Sequence, residues 1–170
     1  MRFLLSAALT TLAATPALAA EATVSIDIPQ LSVAEYHKPY VAIWVESADG
    51  GKITNLAVWY DVKQKNDEGT KWLKDMRQWW RRTGRELTMP ADGLSSPTRA
   101  PGNHQLTFNS TAKPFDGLAP GSYQLVVEAA REVGGRELLR VPFEWPPKAP
   151  VTAQAKGESE LGAVSLKLAP

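Results

Sequence analysis

The residues whose types and spacing are best suited to chemistry lie in one short segment, Asp92–Thr98, of sequence DGLSSPT. Glycine tolerates a positive φ, aspartate and serine bond nearby backbone groups, and proline holds the residue before it in an extended conformation. These residue types predict an exposed, partly extended loop that ends at the Thr98 hydroxyl. Such a hydroxyl can act as a nucleophile when a base activates it. The alternative is an ordinary surface loop that opens a strand.

The segment resembles the motif on which periplasmic flavin transferases attach FMN, which runs Asp, two variable residues, Ser or Thr, Gly, Ala and Thr. Asp92, Ser95 and Thr98 fall on the three most diagnostic positions, while Ser96 and Pro97 stand where Gly and Ala are usual. The resemblance implies that Thr98 Oγ carries FMN through a phosphoester. It also implies that Asp92 and Ser95 are recognised by the transferase and are not catalysts.

The amino terminus has the pattern of a secretory signal peptide. Arg2 supplies a positive start, residues 3–14 are apolar, and Ala17-Leu18-Ala19 is a small-x-small cleavage site. We therefore expect a signal peptide over residues 1–19, cleavage after Ala19 and a periplasmic mature chain. The apolar stretch is too short to cross a bilayer and no second one follows, so no direct membrane span is predicted.

Composition sets limits on the function of the mature chain. Removing residues 1–19 takes away one arginine and no acidic residue, which leaves 18 basic and 18 acidic residues. This neutral balance argues against a nucleic-acid partner, because such binding depends on a basic surface. The chain has no cysteine, so its stability must come from a hydrophobic core. We predict a single domain over residues 20–170.

Alternating apolar residues predict a mainly β fold. The predicted strands cover residues 22–28, 40–46, 53–60, 104–109, 123–127, 136–145 and 164–168. Glycines at 50–51 and 134–135 predict two hairpins, and residues 148–160, which lack periodicity, predict a long surface loop. We expect one antiparallel β-sandwich, immunoglobulin-like or transthyretin-like, with one helical insert.

The insert is predicted to be an amphipathic helix over residues 67–84, followed by a motif loop over residues 85–103. Its apolar residues fall within an arc of about 120° on a helical wheel; they are Trp72, Leu73, Met76, Trp79 and Trp80. The simpler interpretation is that the insert covers one edge or end of the sheet and buries its tryptophans. A second interpretation makes Trp79 or Trp80 the wall of an aromatic-ligand site, with Arg81, Arg82 or Arg85 facing a phosphate.

Other chemistry has little support in the sequence. The chain has two histidines, His37 and His104, and no strained nucleophile-elbow sequence, so we predict no catalytic residues and no enzyme activity. Copper ligation by these histidines and Met89 is the alternative. They lack metal-ligand spacing, and we interpret them as surface or hydrogen-bonding residues, with no metal site.

Several features together resemble a family of predicted periplasmic proteins, domain of unknown function 2271. They are the signal peptide, the tryptophan-rich middle and residues 95–104 and 128–136. The family is thought to accompany flavin transferases and PepSY-type membrane proteins, so the resemblance implies a periplasmic electron carrier with covalent FMN.

In such a carrier, Arg99 is a candidate for the FMN phosphate and Trp79 and Trp80 for the ring. The competing function is a non-catalytic envelope binding module that uses Trp79 and Trp80 as hydrophobic anchors.

Overall fold

The computed structural model describes residues 19–170. The predicted signal peptide, residues 1–19, therefore lies outside the described residues except for Ala19. Within the described range nine strands follow in chain order: β1 (Glu21–Ile28), β2 (Tyr40–Ser47), β3 (Ile53–Tyr60), β4 (Ser95–Pro97), β5 (Gly102–Asn109), β6 (Gly121–Ala130), β7 (Arg136–Trp145), β8 (Val151–Lys156) and β9 (Ala163–Ala169). No helix in this range is long and apolar enough to cross a membrane.

The strands form two sheets that pack face to face as a β-sandwich. One sheet has four strands in the order β5-β1-β9-β8, and the other has five in the order β4-β3-β2-β6-β7. Neighbouring strands of these sheets pair antiparallel, except that β3 and β4 run parallel. The predicted mainly β sandwich is confirmed, and the expected antiparallel pairing is wrong at β4.

Alternation along each strand places one side of it in the core between the sheets. In β1, Val24 and Ile26 are fully buried, whereas Ser25 between them is partly exposed. β1 lies between β5 and β9, and its register pairs Val24 with Leu106 on one side and with Leu166 on the other. The inward residues of both sheets form one continuous inner core.

A second apolar core covers the outer face of the five-stranded sheet. Trp44 of β2, with Val58 and Tyr60 of β3, packs there against Leu73 and Met76 of the segment between β3 and β4. All five are at most 2% exposed. The segment therefore covers a face of the sheet, and the prediction that it covers an edge or end is wrong. Because β2 carries apolar side chains on both faces, other parts of the protein must shield both faces from water.

This covering segment, residues 65–86, is not the single α-helix predicted for residues 67–84. It consists of a 3₁₀ stretch (Lys65–Asp75), a short α-helix α1 (Arg77–Arg82) and a 3₁₀ turn (Gly84–Glu86). Met76 separates the first two, because its ψ of 73° lies outside the helical range. The Glu128 carboxylate of β6 then accepts hydrogen bonds from Gln78 N at 3.0 Å and Trp79 N at 2.7 Å, which caps the start of α1.

Strand β8 lies inside the stretch that was predicted to be a long surface loop, residues 148–160. It pairs antiparallel with β9 along its whole length and packs Ala153 and Ala155 against the inner core. The alternation is present in the sequence, but its inward side consists of alanine. Such small side chains give a weak periodic signal, and this part of the loop prediction is therefore wrong.

Both predicted hairpins are confirmed. The turn that joins β2 to β3 contains Gly50 at φ 73°, and β6 and β7 pair directly on either side of Gly134. Tyr123 Oη donates a 2.7 Å hydrogen bond to Ala119 O across the turn that opens β6. Such a bond from a tyrosine to upstream backbone is common in immunoglobulin-like sandwiches.

Two buried carboxylates, Glu128 and Glu160, form ion pairs with arginines of residues 128–136. Glu128 is fully buried and accepts a hydrogen bond from Arg136 Nε. Arg131 Nε donates to Glu160 Oε2 at 2.8 Å, with the two side chains 6% and 4% exposed, and this bond raises the pKa of the Arg131 guanidinium. Because a buried charge is costly without its partner, the pairs fix the positions of the covering segment and the β8–β9 connection.

Glu137 on β7 makes stability depend on pH. Its carboxylate accepts hydrogen bonds from the backbone N–H groups of Glu158, Ser159 and Leu161 at 2.6, 3.1 and 2.8 Å. Burial acts to raise the pKa of Glu137, but these hydrogen bonds favour the charged form and hold the pKa below its ordinary 4.5. A lowered pKa stabilises the fold above the unfolded pKa, and this contribution is lost as pH falls through the folded value.

We expect Glu137→Gln to lower the free energy of unfolding at pH 7 by about 2–3 kcal/mol, because a charged acceptor is replaced by a neutral one. The difference from wild type should shrink as pH falls from 4.5, the ordinary pKa, through the lowered folded pKa, below which the wild-type carboxyl is also neutral. Urea unfolding at several pH values measures both effects. Glu144→Gln, at an exposed position of the same strand, is the control. A difference that stayed constant with pH would contradict the explanation.

Candidate functional site

The segment Asp92–Thr98 begins as a tight turn. Gly93 has a φ of 68°, a conformation that glycine adopts without strain. Ser95 Oγ accepts a 2.9 Å hydrogen bond from Ala91 N, and Ser95 N donates to Ala91 O at 3.0 Å. Asp92 is exposed at this turn. Ser95 therefore fixes the turn from within, while the Asp92 carboxylate is available to another protein.

The second half of the segment is an edge strand and not the open loop that was predicted. β4 pairs in parallel with the end of β3, and Thr98 N donates a 3.1 Å hydrogen bond to Tyr60 O. Pro97 is exposed on this strand, as suits a residue without an N–H group. The predicted extended conformation is confirmed. The predicted freedom of the loop is wrong, because β3 had an unpaired edge available to the segment.

Thr98 is partly buried and lines a cleft of about 470 Å³ at the end of the five-stranded sheet where β3 ends and β2 begins. Three parts of the chain supply the other walls: His37, Lys38 and Tyr40; Asp61, Gln64, Glu68, Trp72 and Asp75; and Ala130, Arg131 and Glu132. A cleft of this size lies in the range of small-molecule sites, about 300–1,000 Å³.

The aromatic side chain of the covering segment that faces this cleft is Trp72. Its side chain is 43% exposed, so the prediction that the insert buries all of its tryptophans is wrong here. In a 3₁₀ helix residues i and i+3 share a face. Leu73 and Met76 therefore point together to the sheet, while Trp72 and Asp75 point together into the cleft.

Trp79 and Trp80, the predicted aromatic walls, lie elsewhere. Trp79 is fully buried, and its Nε1 donates a 3.0 Å hydrogen bond to Asn55 Oδ1. Gly84 packs so closely on the ring that a Cβ there would be 2.5 Å from Cζ3 of Trp79. Trp80 is half-buried and contacts Trp79 at a ring separation of 6.3 Å. Trp79 has no face open to a ligand, and neither ring lines the cleft beside Thr98.

Tyr40 forms a second aromatic wall of the cleft. Its ring meets that of Tyr60 edge to face at 6.1 Å, which fixes its orientation. Burial raises the pKa of the Tyr40 hydroxyl, so the phenol is uncharged at neutral pH and can donate a hydrogen bond.

Acidic side chains outnumber basic ones around the cleft. The acidic residues are Asp61, Glu68, Asp75 and Glu132, and the basic ones are Lys38 and Arg131. Glu68 is paired with Lys71 at 3.2 Å, and His37 lies 2.8 Å from Glu35 and 3.6 Å from Glu132. Lys38 forms no ion pair within residues 19–170. It is therefore available to an anionic group bound near Thr98.

The arginines proposed for a phosphate do not share one location. Arg99, next to Thr98, lies over the Trp59 ring with its Cζ 5.3 Å from the ring centroid. Arg82 donates to Gly50 O in the β2–β3 turn and lies 4.0 Å from Glu46. That turn is at the opposite end of β2 and β3 from the cleft, so Arg82 cannot serve a phosphate on Thr98.

The two histidines lie apart in the fold. His37 contacts Glu35 and Glu132 at the cleft, whereas His104 on β5 bonds Ala100 O through Nε2 at 2.7 Å and packs against the Trp59 ring. No group of three or more histidine, aspartate or glutamate side chains within the described residues is placed to hold a metal ion.

Sequence reasoning missed Lys38, Tyr40 and Trp72 as residues of the Thr98 site. Lys38 lies in the polar stretch before β2, Tyr40 is the first residue of β2, and Trp72 lies in the covering segment. One signal was available in the sequence. A strand that begins after His37 and Lys38 places them at the same end of the sheet as the last residues of any antiparallel neighbour. Which neighbour this is depends on the strand order, which the sequence does not show.

Residues 21–163 match the sequence model of a protein family. That family is described as predicted periplasmic protein, domain of unknown function 2271 (DUF2271). No curated protein matches the chain, and no solved structure matches it.

Proposed function

This chain belongs to the DUF2271 family of predicted periplasmic proteins, and on that premise we propose that it is a periplasmic electron carrier that bears FMN covalently on Thr98. The observation that carries the proposal is the position of Thr98. The residue that ends the attachment-like motif also lines a ligand-sized cleft, so one side chain combines the acceptor chemistry with a place for the attached group.

The residues around Thr98 fit an FMN phosphoester. The Thr98 side chain is only partly buried, and the cleft of about 470 Å³ offers room and aromatic walls. Lys38, which lines the cleft with Thr98, is the candidate for the phosphate. Arg99 follows Thr98 in sequence, but its guanidinium lies over the Trp59 ring and does not line the cleft. When bound, FMN supplies one- and two-electron transfer. The protein provides its attachment, its position and its surrounding charges.

Attachment would be catalysed by a separate flavin transferase. Thr98 Oγ would form a bond to the phosphorus on the flavin side of FAD, displace AMP and give its proton to a base of the transferase. No electrons are transferred in this step. Asp92, exposed on the preceding turn, would be recognised by the transferase. Ser95 would stabilise that turn by accepting a hydrogen bond from Ala91 N.

We propose that β4 leaves the sheet to bring Thr98 to the transferase, because backbone pairing with β3 otherwise holds the acceptor against the domain. β4 has three residues and one neighbour, β3, so releasing it breaks a few hydrogen bonds, at a cost of roughly 2–4 kcal/mol if each contributes about 1 kcal/mol. Gly93 and Gly102, at φ 68° and 130°, bracket the segment in open space. A short edge strand between glycines is suited to such local opening.

The proposal is tested by expressing the full chain with and without a flavin transferase and denaturing the purified protein in a gel. We expect flavin fluorescence to migrate with the protein only when the transferase is present, since a covalent bond survives denaturation. PepSY-type membrane proteins, which the family resemblance implies, are the proposed redox partners. Absence of fluorescence from the protein expressed with a transferase shown to be active on another acceptor would refute the FMN proposal.

A further inference from the structure

We infer that the isoalloxazine ring of FMN on Thr98 lies in the cleft against Trp72, where the surrounding carboxylates lower its midpoint potential. This inference rests on the proposed function and adds the location of the ring. Attachment alone does not require it, because a tethered ring could equally extend into solvent.

The first argument is the exposure of Trp72. Tryptophan is highly buried on average, yet Trp72 is 43% exposed and forms one wall of a concave site. An indole face stacks well on another flat aromatic system. Trp72 therefore offers the ring a partner that its buried neighbours Trp79 and Leu73 cannot offer.

The second argument is that Trp72 is held in place before any ligand arrives. Leu73 follows it and Met76 lies one 3₁₀ turn further on, and both are at most 1% exposed beneath the covering segment. The backbone at Trp72 is thus anchored to the sheet, while its side chain faces the cleft. A site that is already ordered loses little conformational entropy on binding.

The third argument is the tether. Thr98 and Trp72 line the same cleft although they are far apart in sequence. A short covalent linker gives the attached group an effective concentration in the millimolar range. Stacking with a dissociation constant below that concentration would therefore keep the ring on Trp72 for most of the time.

Charge predicts what this location does to the flavin. Reduction adds electron density to the ring, and Asp75 shares the cleft with Trp72, as do Glu68 and Glu132. Negative charges nearby disfavour the electron-rich reduced form. A ring in the cleft should consequently have a lower midpoint potential than free FMN, and removal of one carboxylate should raise it.

The test uses full-length protein flavinylated by the transferase, with FMN content read from intact mass. Tryptophan quenches flavin fluorescence on stacking, so we expect the folded wild type to be several-fold dimmer than the same protein in denaturant. Trp72→Ala should recover most of that fluorescence at unchanged FMN content. Val151→Ala, which shortens another exposed apolar side chain (49% exposed) on β8 in the other sheet, should match wild type.

A second measurement leaves Trp72 intact and so does not depend on the folding of its variant. Asp75→Asn should raise the midpoint potential measured by spectroelectrochemistry. Asp116→Asn makes the same change in net charge at the opposite end of β6 and should leave the midpoint potential unchanged. Flavinylated wild type as bright as its denatured form, with no response to Asp75→Asn, would overturn the inference and leave Thr98 attachment intact. Absence of FMN from the wild type would overturn both.

Discussion

Glu128→Gln is expected to lower the free energy of unfolding by about 3–5 kcal/mol, because a buried charged acceptor of several hydrogen bonds, each worth about 1.5–3 kcal/mol, is replaced by a neutral one. Glu128 is fully buried and accepts hydrogen bonds from Gln78 N, Trp79 N and Arg136 Nε. A glutamine has one carbonyl oxygen for these donors. Its amide group would place further N–H donors against them and leave the Arg136 charge without its partner.

The same substitution should loosen the covering segment, because Glu128 caps the start of α1. Urea unfolding measures the loss of stability, and amide hydrogen exchange at Trp79 and Trp80 measures the loosening. Arg136→Met is the companion variant. It should loosen α1 less, since both backbone donors to Glu128 remain, but it should still destabilise the fold because the buried Glu128 carboxylate loses its counter-charge. Equal stability of Glu128→Gln and wild type would show that this carboxylate does not anchor the segment.

Thr98→Ala is expected to abolish covalent FMN. The phosphoester requires a hydroxyl, and alanine has none. Thr98→Ser keeps the hydroxyl and loses only a methyl group, so it should retain part of the modification. Asp92→Ala should slow the modification without preventing it, because Asp92 is exposed on the turn and does not hold the acceptor strand.

Loss of FMN from Thr98→Ala has meaning only if the variant folds. The backbone hydrogen bond from Thr98 N to Tyr60 O does not involve the side chain, and partly exposed positions usually tolerate substitution within about 0.5 kcal/mol. Its urea midpoint should therefore match wild type. Ser96→Ala, which removes another hydroxyl from the same strand, is the matched control and should keep full FMN content. Loss of FMN from Ser96→Ala alone would place the acceptor at Ser96.

Much of the sandwich could be predicted because its strands alternate strongly. Val24 and Ile26 in β1 and Val41 and Ile43 in β2 are buried as their spacing indicates. β8 was missed because its inward residues are alanines. β4 was missed because three residues are too few for a period, and because its partner, β3, comes more than thirty residues earlier.

The covering segment shows that a helical wheel can assign a residue to the wrong face of a segment. Leu73, Met76 and Trp79 are buried as predicted, but Trp72 is not, because much of the segment is 3₁₀ and not α-helical. The start of α1 is capped by Glu128, about fifty positions further along the chain. No local pattern could have shown that a strand carboxylate would start α1 at Arg77.

The candidate site was only partly predictable for the same reason. The acceptor and its turn are contiguous in sequence, so Asp92, Ser95 and Thr98 could be identified from their spacing. The cleft is assembled from the start of β2, the end of β3, the covering segment and the end of β6. Its composition therefore follows from strand order, and Trp72 and Lys38 could be assigned to it only from the structure.

The most direct test of the central claim is the intact mass of the protein co-expressed with an active flavin transferase, measured for wild type and Thr98→Ala side by side. We predict that wild type gains the mass of one FMN phosphoester, that peptide mapping places it on Thr98, and that Thr98→Ala gains none. Wild type with no added mass, or Thr98→Ala with the same added mass as wild type, would contradict the assignment of Thr98 as the flavin acceptor.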